Sequence, residues 1–238
     1  MKITLLIPMY NEADIVAATL DEVTAYMKNT FVEDYEILFV NDGSRDNCAE
    51  IVKNYPDPAV RLCSYEENRG KGHAIRTGVS EARGDVIFFT DCDLAYGCDV
   101  IKTFYDALSA EGAPDVAVGS RSKHPEGYAG YSFLRKIVSK AYLSVLRIFG
   151  GLSLSDSQCG CKGFRKEPAK RIFSHCEVDR FAFDFEAILI GQHFGMNFGE
   201  IPVKVERHGK SSVHILRDTF KMLSDLRKMK KRIKKIEV

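Results

Sequence analysis

Short β-branched apolar runs alternate with longer amphipathic stretches through the first 120 residues of the chain. That rhythm predicts βαβ units around a parallel sheet. Strands are expected at Lys2–Pro8, Tyr35–Asn41, Val60–Ser64, Asp85–Thr90 and Asp115–Gly119, and helices at Glu12–Lys28, Arg45–Asn54, Gly72–Arg83 and Asp99–Glu111. The strands are almost continuously apolar, as burial beneath helices on both faces requires. After Gly119 the rhythm breaks. A Gly/Tyr-rich loop (His124–Ser132) leads to an amphipathic helix near Phe133–Phe149 and a Gly/Ser-rich stretch to Gly160. A helix near Phe183–Phe194, a strand near Asn197–Glu206 and a final helix from about His214 complete the pattern.

Composition narrows the class. With 238 residues, 45% hydrophobic and 28% charged, the chain suits one large α/β domain. No window reaches the roughly 18 consecutive apolar residues of a membrane span. The N-terminal run Met1–Pro8 carries one charge and is too short for a secretory signal, so a cytoplasmic location is expected. Seven cysteines, an odd number without C-x-x-C spacing, argue against a disulfide framework and a zinc site. Net charge is +1, but Arg217–Val238 holds nine basic residues against three acidic ones. Such asymmetry points to an anionic surface as partner. Nucleic acid is the least favoured such surface, because the remainder is net acidic and carries no recognised binding motif.

Polar residues cluster where three predicted strands end: Pro8-Met9-Tyr10-Asn11-Glu12, Asn41-Asp42-Gly43-Ser44 and Asp91-Cys92-Asp93. Ligands of parallel sheets gather at those ends. In extended backbone residues i and i+2 face one way, so Asp91 and Asp93 can share a site. Two adjacent carboxylates repel unless a cation lies between them, and Mg²⁺ or Mn²⁺ with phosphate oxygens is the usual solution. Alone, the tripeptide reads more readily as a surface turn with two solvated acids. Asn68-Arg69-Gly70-Lys71-Gly72-His73-Ala74 adds two glycines and two cations at a helix start, where free N–H groups favour anions. The P-loop and dinucleotide fingerprints are absent, which leaves a phosphate-bearing ligand with another cradle.

Together with Ala82-Arg83-Gly84-Asp85, these motifs resemble in order and spacing the GT-A core of family 2 glycosyltransferases. The second half resembles the polyprenyl-phosphate branch, dolichyl-phosphate glucosyltransferases and mannose synthases. Its marks are Gly119-Ser120-Arg121, Asp156-Ser157-Gln158-Cys159-Gly160, Phe183-Asp184-Phe185-Glu186, Glu200-Ile201-Pro202-Val203 and the run from Arg207 to Ser212. The resemblance implies a GT-A fold with a mainly parallel sheet over residues 1–213, of which 1–120 bind nucleotide-sugar and 121–213 serve the acceptor. A basic amphipathic helix would occupy 214–238.

By the same resemblance Pro8, Tyr10, Asn11, Glu12, Asp42, Lys71, Asp91 and Cys92 would bind nucleotide-sugar, UDP-glucose being favoured. Asp91 and Asp93 would hold Mg²⁺ or Mn²⁺. Arg121, Arg135, Arg207 and Lys210 would surround the acceptor phosphate of a polyprenyl lipid. Asp93, Arg121 and Asp184 are the catalytic candidates, whereas Glu186 would orient arginines or cap its helix. Two departures stand out: Ala95 replaces a metal-binding Gln of mannose synthases, and the C-terminal membrane helices of many relatives have no counterpart. The implied reaction is inverting hexose transfer to a lipid phosphate. A phosphate monoester, second pKa near ~6, is already ionised at neutral pH and needs no strong base.

The tail supports two pictures. Its apolar residues Ile215, Phe220, Leu223, Leu226, Met229, Ile233 and Ile236 recur at helical spacing among cations. Such a helix lies on an anionic bilayer, favoured for Arg227–Lys235, or packs on the domain with its cations solvated. Competing functions are a family 2 enzyme with a soluble or polysaccharide acceptor, for which Asp184 would be an essential base, and a non-catalytic nucleotide-binding membrane adaptor. A nucleotidyltransferase shares acidic strand ends but opens on a Gly/Lys/Arg-rich first loop.

Overall fold

The computed structural model describes residues 1–31, 34–130, 143–144, 151–180, 182–207 and 228–237. The first nine elements follow the predicted rhythm: β1 (Ile3–Met9), α1 (Ala13–Phe31), β2 (Tyr35–Asp42), α2 (Cys48–Lys53), β3 (Val60–Tyr65), α3 (Lys71–Glu81), β4 (Val86–Phe89), α4 (Asp99–Ser109) and β5 (Val116–Ser120). Two further elements carry no hydrophobic rhythm to announce them, β6 (Lys162–Arg165) and α5 (Lys166–Phe173). Helix α6 (Phe183–His193) and strand β7 (Phe198–Pro202) then fall near their expected places. The predicted Phe133–Phe149 helix lies outside the described residues apart from 143–144, as do 214–227 of the final helix.

The strands form one sheet in the order β3-β2-β1-β4-β6-β5-β7. Pairing is parallel except at β6, which runs antiparallel to both β4 and β5. Alternate residues of each strand feed opposite cores. Leu6, Leu38, Val40, Ile87 and Phe89 pack beneath α3, α5 and α6. Strand residues of the opposite parity, Ile3, Leu5, Ile7, Ile37 and Phe39, pack beneath α1 and α4. Helix α1 buries Val16, Leu20, Val23 and Met27 at helical spacing, and Asp46 caps it by accepting the Ala13 N–H at 2.9 Å.

Order reverses between β1 and β4, because the chain leaves β1 toward β2 and β3 and returns through α3 to the other side of β1. A crevice opens at such a switch point. The β1–β4 ladder ends at the pair Leu6–Phe89. Pro8, two residues further along β1, faces the same side as Leu6 but has no N–H to continue the ladder. Asp91 is therefore released from the sheet.

The Ala82-Arg83-Gly84-Asp85 motif sets the start of β4. Buried Glu36 accepts the Arg83 N–H at 2.6 Å, the Thr4 hydroxyl at 2.6 Å and Arg61 at 2.7 Å. Thr4 in turn accepts the Gly84 N–H at 2.8 Å.

Residues 228–233 are helical and dock on the α5–α6 side, where Met229 and Ile233 are buried. This corrects the expectation that Arg227–Lys235 lies on a bilayer by its apolar stripe. Met229 and Ile233 are spent on the domain core, which leaves Lys228, Lys231, Lys234 and Lys235 facing outward.

Burial pushes the Glu36 carboxyl upward, yet the bonds from Thr4, Arg83 and Arg61 outweigh it and hold its pKa below the usual carboxylate value. A depressed folded pKa contributes stability above the unfolded value that is lost as pH falls through the folded one. Glu36→Gln is expected to cost about 2 kcal/mol at neutral pH, the scale of charge-assisted hydrogen bonds. Thermal melts should show that gap closing as pH falls below the carboxylate range; a gap independent of pH would contradict the assignment.

Candidate active site

Five of the expected acidic and basic residues come together. The Lys71 ammonium, at the start of α3, pairs with Asp91 Oδ1. Burial pulls the Lys71 pKa down, but Asp91, Asp184 and Asp93 outweigh it and hold it above the ordinary lysine value. Glu12 and Asp93 are both raised, first by burial and then by neighbouring acids: Asp93 and Asp91 act on Glu12, and Asp91 acts on Asp93. Asp91, Asp93 and Asp184 thus act on one ammonium, and Glu12 adjoins Asp91 and Asp93.

Asp91 is fixed from two directions. Lys71 holds Oδ1, while a Cβ on Gly160 would fall 2.2 Å from Oδ2. A side chain at position 160 would push the carboxylate from this position. The Gly160 N–H donates to the Tyr96 hydroxyl at 3.3 Å, which ties the Asp156–Gly160 motif to the loop after Asp93. That loop turns sharply: Asp93 Oδ1 accepts the Ala95 N–H at 3.1 Å, and Leu94 adopts φ 48°. A non-glycine residue there is strained, as is common at functional sites.

The first two strand ends are cross-linked. Asn11, at φ 55°, donates its N–H to the Ser44 hydroxyl at 3.0 Å and accepts the Arg45 N–H on its side chain at 2.8 Å. Pro8 is buried within β1, whereas Tyr10 is 41% exposed on the rim. Among the described residues only Met1 and Tyr10 are large exposed hydrophobics.

Other expected site residues have different occupations. The Asp42 carboxylate accepts from Tyr65, the Asn68 side chain and the N–H groups of Arg69 and Gly70, at 2.8–2.9 Å. Four donors fill its lone pairs, so it shapes the loop leading to Lys71 rather than offering a free acceptor. The Cys92 side chain is a correction: it is 3% exposed and turned into the core beside Thr19, because its neighbours Asp91 and Asp93 point the other way. The start of α3 is a second one. Its Gly72 and His73 N–H groups are both taken by the Asp179 carbonyl, at 2.8 and 3.2 Å, and are not open to an anion.

The arginines divide likewise. Arg121 makes a bidentate pair with the fully buried Asp156, at 2.7 and 3.0 Å, and packs over Tyr128. Truncating Arg121 would strand that carboxylate at a cost of about 3–5 kcal/mol. Arg207 makes a bidentate pair with Glu22 at 2.9 and 2.7 Å, while its backbone N–H reaches Ala95 at 3.2 Å, so it stands on the rim beyond Asp93. Arg135 and Lys210 lie outside the described residues. Asp184 bonds Lys162 at 2.7 Å and is raised, chiefly by burial. Lys162 itself, 1% exposed and also bonded to the Cys159 carbonyl at 2.6 Å, gave no signal in the sequence beyond its place just after the Asp156–Gly160 motif.

Among the described residues no group of three His, Cys, Asp or Glu side chains forms a closed metal cage. Asp91 and Asp93, with Glu12 nearby, instead make an open acidic edge of the sort that holds Mg²⁺ or Mn²⁺ together with substrate phosphates. Beside burial, the main cause, the neighbouring acids that also raise Asp93 and Glu12 are the charge a cation would relieve.

A doubly wound sheet with an antiparallel β6 and acids at the β1–β4 switch point defines a glycosyltransferase of GT-A fold. The chain belongs to glycosyl transferase family 2, whose model matches residues 4–173. It is 36% identical over 234 residues to a dolichyl-phosphate beta-glucosyltransferase of Trichomonas vaginalis, covering 94% of this chain and 69% of that one. A dolichyl-phosphate beta-glucosyltransferase of Saccharomyces cerevisiae is 29% identical over 244 residues, covering 94% and 72%. In fold the chain matches glucosyl-3-phosphoglycerate synthase from Mycobacterium tuberculosis, solved with Mn²⁺, UDP-glucose and phosphoglyceric acid. The TM-score is 0.68 at 15% identity, over 99% of this chain and 81% of that one.

A carboxylate whose pKa is raised in the folded state favours folding below its unfolded pKa and loses that contribution as pH rises. Asp93→Asn should therefore leave the metal-free protein as stable at neutral pH as the parent, or more so, while abolishing the rise in melting temperature on adding Mn²⁺ with UDP. An undiminished rise would remove Asp93 from the metal edge.

Proposed function

We propose that the chain transfers glucose, with inversion, from UDP-glucose to a polyprenyl phosphate of dolichyl type at the cytoplasmic face of a membrane. The observation that carries the donor half is the gathering of Asp91, Asp93 and Asp184 about Lys71 at the switch point, with Glu12 beside Asp91 and Asp93. The names of the relatives support glucose and the lipid phosphate. Asp91 and Asp93 would hold Mg²⁺ or Mn²⁺ against the donor diphosphate, and the cation would stabilise the departing UDP. Lys71 adds a positive charge at the same place, and exposed Tyr10 offers an aromatic face to the base.

An ionised acceptor-phosphate oxygen would attack the anomeric carbon as the bond to UDP breaks, so the new linkage forms on the opposite face. Planar guanidinium groups suit the acceptor phosphate. We assign this role to Arg207, which lies on the rim paired with Glu22, to Arg121, which pairs with Asp156, and, from the sequence, to Arg135 and Lys210. Among the described residues no helix is long and apolar enough to cross a membrane. Peripheral contact would come from the outward lysines of 228–235, each worth ~1 kcal/mol beside an anionic surface.

Incubating the chain with Mn²⁺, a panel of nucleotide-sugars and a polyprenyl phosphate should give a glucosyl lipid by mass with UDP-glucose. Product from soluble acceptors alone would overturn the lipid assignment. Because the nucleophile is already ionised, Asp184→Asn should retain turnover to within about tenfold; a loss on the order of 10²–10⁴-fold would indicate a general base and a hydroxyl acceptor.

A further inference from the structure

The two acids of the first turn of α6 look in opposite directions. Asp184 faces Lys162 and the donor site. Glu186, fully buried, faces the loop 175–179: its Oε2 accepts the N–H groups of Glu177 at 3.0 Å and Val178 at 2.9 Å. Its Oε1 pairs with Arg232 of the C-terminal helix. Arg232 also donates to the His175 carbonyl at 2.8 Å and pairs with the Glu177 carboxylate at 2.9 Å. One guanidinium therefore ties the tail to both α6 and the loop. Met229 and Ile233 bury the same helix, and the His193 ring meets the Ile236 carbonyl at 2.9 Å.

The loop passes that restraint to the site. Its next residue, Asp179, takes the Gly72 and His73 N–H groups on its carbonyl and Arg76 on its side chain at 2.5 Å. There is no slack at this junction. A Cβ on Gly70 would fall 2.5 Å from the Asp179 carbonyl oxygen, and one on Gly72 would fall 2.4 Å from that of Val178. Lys71 stands between those two glycines and grips Asp91. Farther along α3, a Cβ on Gly78 would overlap Leu6 at 1.9 Å, so the helix is also pressed against β1.

We propose that Arg232 is a positioning residue for the donor site: the C-terminal segment is a strap that, through Glu186 and the 175–179 loop, sets the start of α3 and hence the Lys71–Asp91 pair. Removing its guanidinium strips Glu186 of its counter-charge among the described residues. The carboxylate then takes a proton or water, its hold on Glu177 and Val178 loosens, and Lys71 loses its fixed backbone. The acceptor side, built around Arg121–Asp156 and Arg207–Glu22, shares none of these bonds.

The inference rests on Lys71 and Asp91 forming the donor site, so its test has one arm independent of chemistry. Amide hydrogen exchange on the full chain without ligand should quicken in Arg232→Ala at 176–180 and 71–74, with β1 and β4 unchanged. In the second arm the KM for UDP-glucose should rise by about tenfold, the scale of coupling between linked sites, while the KM for polyprenyl phosphate holds. Arg232→Lys, which keeps the charge, should restore most of the loss and serves where the alanine variant folds poorly. Faster exchange confined to 228–237, or donor and acceptor constants moving together as in a general loosening, overturns the strap. The expected exchange pattern in a chain that glucosylates no lipid supports the strap and overturns the functional reading instead.

Discussion

The carboxylate of Asp91 is held between an ammonium and a bare backbone. Lys71 reaches it from the parallel half of the sheet, and Gly160 presses on it from the segment leading into antiparallel β6. Everything else at the site is arranged around that junction. Pro8 ends the β1–β4 ladder so that the chain can leave the sheet at Asp91, and β6 runs back beside β4 to bring Gly160 into contact. A side chain at position 160 would displace the carboxylate from Gly160. The two halves of the chain, one reading as scaffold and one as acceptor structure, both touch this carboxylate.

Electrostatics at the junction are unfavourable by design of the sequence. Lys71 pairs with Asp91 and Lys162 with Asp184, which leaves Asp93 and Glu12 beside Asp91 without a lysine bonded to either, and partial burial makes their repulsion stronger. Glu12, Asp91 and Asp93 are half-buried, and under the proposed function a donor diphosphate with a divalent cation would supply the charges that complete the set. The surrounding residues absorb the strain. Asp42 fixes the loop before Lys71, Asn11 and Ser44 join the first two strand ends, and Leu94 holds the turn after Asp93 in a conformation that costs energy. The strap across α6 belongs to the same pattern, since a site built from repelling groups needs its backbone held from outside.

The parallel half of the fold was legible because a strand buried on both faces writes itself as an apolar run, and the helices between have a regular apolar stripe. Strand β6 hides because its four residues include Lys162, Gly163 and Arg165. Its buried lysine is compensated by the nearby Cys159 carbonyl and by Asp184, which lies 22 residues away in sequence. Helix α5 hides behind Pro168, tolerated because it lies in the first turn. At the site, the acids were visible as strand-end clusters. The sequence pattern could not show that Asp42 is saturated by its own loop, that Arg121 is bound by Asp156, or that Asp179 covers the start of α3. Each of those depends on a partner more than 20 residues away, and composition and spacing along the chain carry no record of it.

The most direct test of the central claim is a crystal structure of the chain soaked with UDP-glucose and Mn²⁺, with the metal located by its anomalous signal. The account predicts manganese at Asp91 and Asp93, the diphosphate between it and Lys71, and the base beside Tyr10. Manganese or nucleotide bound away from the carboxyl ends of β1 and β4, with the Lys71–Asp91 pair undisturbed, would contradict it.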